Sequence, residues 1–254
     1  MFSTSSPWGK VMILVVVIVL LIGGIIQTER KYDMQRCKHI QVKIIPIIEQ
    51  NFIDEHNIFS YLASRFQRLD STTPLHSIPT KELENILKSH NFVQHCSVHK
   101  SWQGNLAITI LPRKILARII NTACEDAYID NEGTILPLSA TYTPRVVLVE
   151  SEKKYKVSNH IDAYPEGQGL LNMLQIIAED IFWQTQITHI YINDKEEVTL
   201  ATKFGRHKVH FGKFEQLEDK FKRLKLFYEV ILPQKGWDVY KQINLKFDTQ
   251  IICE

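Results

Sequence analysis

Two tetrapeptides carry the spacing of a serine nucleophile and its lysine base: Ser97-Val98-His99-Lys100 and Ser151-Glu152-Lys153-Lys154 both read S-x-x-K. That chemistry needs hydroxyl and amine on one face of a helix. Ser97 and Lys100 fall instead in an alternating stretch, and residues three apart on a strand point to opposite faces. Neither K-T-G nor S-D-N accompanies them. His95 and His99 do share a strand face, yet four residues of extended chain separate them by about 13 Å, too far for one metal with bonds of about 2 Å. His207 and His210 face opposite ways. Gly205 and Gly212 stand near strand ends without a phosphate-loop pattern, and Cys37, Cys96, Cys124 and Cys253 form no C-x-x-C and allow three pairings. Catalysis, a cofactor and a metal are therefore not expected. Lysine and arginine are mixed with acids to a net charge of +2, which lacks the footprint of nucleic-acid binding.

The elements that hold these residues read as α+β. Residues 39–44 alternate, with Ile40, Val42 and Ile44 on one face. Asp54 can cap a helix with Ile58, Phe59, Leu62, Ala63 and Phe66 on one side. Thr80 is placed to cap a second helix striped by Leu83, Ile86 and Leu87. Strands are predicted over 93–102 and 106–111, joined by Gln103-Gly104-Asn105. The order strand, helix, helix, strand, strand closes at Pro112. After it, strands are predicted around 117–121, 127–129, 146–150, 188–192, 197–204 and 207–211. One helix is predicted over 170–183. A second starts at Phe214, buries Leu217, Phe221, Leu224 and Tyr228, turns Lys220, Lys222, Arg223 and Lys225 outward, and ends near Pro233 and Gly236. Residues 240–253 read as a single strand, with Ile243, Leu245, Phe247 and Ile251 inward and Gln242, Asn244, Lys246, Asp248 and Gln250 outward. At a sheet edge, such a strand is a template for strand addition by another protein.

Residues 11–26 are uncharged and almost wholly aliphatic, which predicts one transmembrane helix in the lipid bilayer after a short cytoplasmic tail at 1–10 and before a linker at 27–36. Arg30, Lys31, Arg36 and Lys38 outnumber Lys10 across that segment, a tally that by itself would keep the large domain on the cytoplasmic side.

This order of parts resembles the bacterial division family FtsQ, or DivIB. Pro112-Arg113-Lys114-Ile115-Leu116-Ala117-Arg118 looks like the family's entry to its second domain, and Tyr128-Ile129-Asp130-Asn131-Glu132-Gly133 like its D-x-x-G turn. Pro112 stands where the family has Glu, and Ile115 where it has Pro. The resemblance implies a POTRA domain at 37–112 and a β domain at 113–254, both periplasmic, on an inner-membrane anchor. It implies a non-enzymatic scaffold at the division septum that holds FtsB-like and FtsL-like partners. Their contact would lie on the last strand, which takes in Lys241, Thr249 and Ile252 besides the alternating residues named above. Other divisome components would meet the POTRA domain and anchor. A POTRA-bearing part of protein transport or outer-membrane assembly is the alternative, but no segment has the repeated strands of about ten residues that a membrane barrel needs.

Overall fold

The computed structural model describes residues 7–33, 36–66, 73–101, 103–120, 125–152, 155–157, 160–205, 207–247 and 250–254. Trp102, Cys124, Lys153, Lys154, Asp248 and Thr249 lie outside them. The chain divides into two compact units, Met1–Ile45 with Ile53–Leu111, and Pro46–Phe52 with Pro112–Glu254.

The first unit opens with helix α1, Pro7–Asp33, whose described side chains from Val11 to Ile22 are exposed. Among the described residues no helix is long and apolar enough to cross a membrane. Strand β1 (Ile40–Ile44) is followed by α2 (Glu55–Arg65), α3 (Thr80–Lys88), β2 (Val93–Lys100) and β3 (Leu106–Pro112). The three strands lie in the order β1-β3-β2, with β1 and β3 parallel. The 101–105 connection is too short for a parallel crossover, so β2 and β3 form a hairpin.

Asp54 starts α2 as expected, accepting from the Asn57 N–H at 2.6 Å, a cap of about 1 kcal/mol. Thr80 does not cap α3. It is the first helical residue, and the Pro79 carbonyl accepts from the Glu82 and Leu83 amides. Ile58 and Leu62 of α2 and Leu83 and Leu87 of α3 are buried, as are Leu106, Ile108 and Ile110 of β3. Ser97 and Lys100 lie on the same strand β2, and His95 and His99 on it are both exposed.

Among its described residues the second unit holds nine strands: β4 (Ile115–Ile120), β5 (Ala127–Asp130), β6 (Ile135–Pro137), β7 (Val147–Ser151), β8 (Ile187–Ile192), β9 (Val198–Thr202), β10 (Lys208–Gly212), β11 (Gln242–Asn244) and β12 (Ile252–Cys253). Their order is β12-β11-β10-β9-β8-β7-β4-β5-β6. The pairs β4/β7, β7/β8 and β10/β11 are parallel and the rest antiparallel. Helices α4 (Gly167–Glu179) and α5 (Ile181–Gln186) make the β7-to-β8 crossover, and α6 (Leu217–Leu226) and α7 (Leu232–Lys235) the β10-to-β11 crossover. Alternate residues such as Val149, Ile190, Leu200 and Val209 meet Leu174, Ile177, Phe221 and Leu224 of the helices in one core.

The segment Pro46–Phe52 joins this unit through a backbone mimic. The Gln50 carboxamide donates to the Ile115 carbonyl at 2.7 Å and accepts from its amide at 2.9 Å, as a neighbouring strand would. Phe52 packs edge-on against Tyr128 and Tyr142.

The single helix expected over 170–183 is two. Asp180 is extended, and its carboxylate accepts from the Phe182 amide at 2.9 Å, so a local side-chain bond ends α4 and starts α5. Ile181 is thereby turned out, 79 % exposed, instead of joining the core face. The second helix passes through a π turn, Phe227–Ile231, before α7, which accommodates Pro233 near the start of α7.

His207 is buried beside Tyr228, its Nε2 2.5 Å from the hydroxyl. Burial depresses its pKa below the usual value, against the opposing pull of Asp238 and the Trp237 backbone. The unfolded chain therefore takes up a proton that the native state refuses. Stability is full above the ordinary imidazole pKa of about 6.5 and is lost as pH falls through that value. Burial depresses His90 and His189 in the same direction. Thermal unfolding midpoints should fall from about pH 7 to pH 5, less steeply in His207→Gln. Equal slopes for the two proteins would assign the effect elsewhere.

Candidate functional site

Two places concentrate the residues singled out in the sequence. The first is the turn between β5 and β6. Asp130 is fully buried; one carboxylate oxygen accepts from the Glu132 and Thr134 amides at 3.0 and 2.7 Å, and the other pairs with Arg113 at 2.5 Å. Gly133 completes the turn at φ +85°, a conformation that disfavours other residues, and its missing Cβ would strike Ile161. The arginine before β4 and the D-x-x-G turn thus form one structural unit, with its charge consumed internally.

The second place is the strand predicted over 240–253, which is a hairpin. Gln242–Asn244 form β11; the chain then turns, and Ile252–Cys253 return antiparallel to it as β12. The cause is local. The Asn244 side chain accepts from the Lys246 amide at 3.0 Å, the bond of an Asx turn, and diverts the backbone. Ile243 and Leu245 are buried as expected, whereas Phe247 is 46 % exposed.

This fold-back changes the edge. The inner side of β11 is bound to β10, where the Lys241 carbonyl accepts from Lys208 and the Leu245 amide donates to His210, both at 2.9 Å. On the outer side, Gln242 and Glu254 exchange amide-to-carbonyl bonds at 3.0 Å each. The next paired residues are Ile243 with Cys253 and Asn244 with Ile252. The expected bare rim of β11 is therefore covered by residues 252–254, and the two-residue β12 stands at the margin.

Two supports of this corner were not anticipated. Arg223, expected to point outward, donates from Nη1 to the carbonyls of Phe247 at 2.8 Å and Gln250 at 3.4 Å. Asp219 pairs with its Nε at 3.0 Å. Lys246 reaches Glu197 at 2.9 Å, which holds that carboxyl below the usual range. Lys220 is also misassigned by its place on the helix: it is buried, its amine over the Phe211 ring and donating to the Lys213 carbonyl at 3.0 Å. Long aliphatic stems make such burial possible, and an apolar-stripe reading does not register it.

Among the described residues no three histidine, cysteine or acidic side chains are grouped to hold a metal.

Residues 114–254 match the family model described as FtsQ/DivIB, C-terminal related, more than half of the chain. The chain belongs to the FtsQ/DivIB family. A model of the POTRA-like domain matches residues 35–111 of this FtsQ/DivIB protein, in agreement with the β-α-α-β-β order of its first unit. No curated protein matches the sequence. FtsQ/DivIB proteins are division proteins without an enzymatic role, and membership supports a scaffold role in cell division for this chain.

Proposed function

We propose that this protein is a membrane-anchored division scaffold that holds FtsB-like and FtsL-like partners by strand addition at the β11 corner, within residues 241–252. The observation that carries the reading is a POTRA-like unit followed by a family-matching β unit. Within that unit, Gln242 and Asn244 direct their backbone groups away from β10 and toward residues 252–254. A partner strand seated there in place of residues 252–254 would take over their main-chain hydrogen bonds, while the buried face under Ile243 would select apolar residues at alternate positions.

Helix α1 is the proposed anchor, on the strength of its sequence, since its described residues alone fall short of a membrane span. Its sequence stays apolar from Val11 to Ile26, about 24 Å of helix against a hydrocarbon core of roughly 30 Å, with Trp8 suited to the interface. The bulk would lie in the periplasm of an inner-membrane protein, a reading that the domain order supports, and large translocated domains tolerate the flanking cations. The POTRA-like unit and anchor then meet other divisome components and link them to septal wall synthesis.

Depletion should produce filamentous cells, seen by microscopy. Asn244→Pro, which deletes an outward donor of β11, should abolish copurification of the FtsB-like partner while the circular dichroism spectrum is retained. Normal septation on depletion would reject the function; undiminished copurification would reject the site.

A further inference from the structure

We infer that residues 250–254 are a self-cap, a strap that holds the place of a partner's strand on β11 and is latched by Arg223, so that partner strand addition proceeds by displacing it. The inference rests on the strand-addition reading above.

The strap satisfies the same groups a partner would need. Glu254 takes both hydrogen-bonding groups of Gln242, and Ile252 stands opposite Asn244. An incoming antiparallel strand would replace these bonds one for one, so the exchange costs little in hydrogen bonding. Little else retains the strap. Its regular pairing is two residues long, Ile251 and Cys253 are only half-buried, and Gln250, Ile252 and Glu254 are exposed. By contrast Ile243 and Leu245 beneath it are fully buried and stay in the core when the strap leaves. Segments with few buried contacts open first.

Arg223 is what distinguishes this strap from a frayed end. Its Nη1 gathers the carbonyls of Phe247 and Gln250, on the two sides of the turn, from a helix fixed in the core by Phe221 and Leu224. Its Nη2 is buried and, among the described residues, makes no hydrogen bond. The occupant that fits the opened edge is an extended segment of a protein partner with apolar side chains at every second position, set where Ile251 and Cys253 now lie.

The register supplies a lock. Ile243 faces Cys253 between two hydrogen-bonded pairs, the close spacing at which opposed cysteines can bridge. In the full-length protein, Ile243→Cys oxidised onto Cys253 should close the strap permanently, and reduction should free it. Arg223→Gln should open it. Expected are amide exchange at Gln242 and Asn244 at least about tenfold faster in Arg223→Gln, the equivalent of one lost charge-assisted hydrogen bond, with Ile190 of β8 unchanged. The FtsB-like protein, used as the probe, should bind Arg223→Gln about tenfold more tightly than the unaltered chain and should bind oxidised Ile243→Cys far more weakly than its reduced form. Equal binding to the oxidised and reduced forms, or unchanged exchange in Arg223→Gln, overturns the strap while leaving the scaffold reading intact. Absence of binding by every form, with exchange at Gln242 and Asn244 accelerated as expected, overturns strand addition itself and the inference with it.

Discussion

Asp130→Ala should destabilise the β unit by roughly 3 to 5 kcal/mol, the cost of removing one partner from a buried ion pair. The carboxylate is fully enclosed and serves three donors at once: the Glu132 amide, the Thr134 amide and the Arg113 guanidinium. Alanine leaves two amides without their acceptor and Arg113 with only its longer contacts to Glu132 and the Thr134 hydroxyl, at 3.4 and 3.3 Å. The Arg113 Nε is already buried without a hydrogen bond, so the guanidinium would be left still less satisfied. Asp130→Asn can keep the turn amides while weakening the arginine contact, and should cost distinctly less. Denaturant titration of the three proteins provides the measurement, and an alanine variant within about 1 kcal/mol of the parent would show that the turn holds without its carboxylate. Because β5 and β6 lie at the opposite end of the sheet order from β11, partner binding should fall only with the folded fraction.

What was legible in the sequence was whatever depends on regular spacing. The alternation of Ile40, Val42 and Ile44 and of Leu106, Ile108 and Ile110 identifies strands that do pair, in parallel register. The 3.6-residue stripe through Phe221 and Leu224 identifies α6. What escaped is local competition for the backbone. Asp180 and Asn244 each bond an amide two residues on, and each interrupts an element whose apolar period continues across the break. At the 240–253 stretch the fold-back even preserves the period, since Ile251 and Cys253 come back to pack against the core that holds Ile243 and Leu245. Periodicity reports which side of a sheet a residue faces and is silent on whether the chain has reversed. The short β6 and the Gln50 mimic on β4 leave no periodic trace at all, because three residues and one carboxamide are too few to show a pattern. The consequence falls on the candidate site: periodicity read residues 240–253 as one strand, while their fold-back and the Arg223 contacts to its turn were visible only in three dimensions.

Gly167→Ala should destabilise the protein, reversing the usual sign for a helical glycine. In an exposed helix interior this substitution gains about 1 kcal/mol, because alanine loses less backbone freedom. Gly167 begins α4 with its amide bound to the Tyr164 carbonyl at 2.9 Å, and a Cβ there would overlap the Ile161 carbonyl oxygen and approach its carbon to 2.5 Å. The obstacle is main chain, which has no alternative rotamer. It is also pinned: Ile161 is fully buried, and its amide donates to the Gly133 carbonyl at 2.8 Å. Retreat of Ile161 would therefore press its side chain on Gly133, whose own Cβ position is already filled by the Ile161 Cγ2 at 2.7 Å. Helix start and D-x-x-G turn thus share one tight contact, and overpacking there should cost about 1 to 3 kcal/mol net of the propensity gain. Ala178→Gly in the same helix provides the comparison: it should lose about 1 kcal/mol through backbone entropy, besides the contact of a methyl packed against the core. If Gly167→Ala raised the melting temperature instead, the Ile161 backbone would have to be free to move, and the coupling between α4 and the turn would be absent.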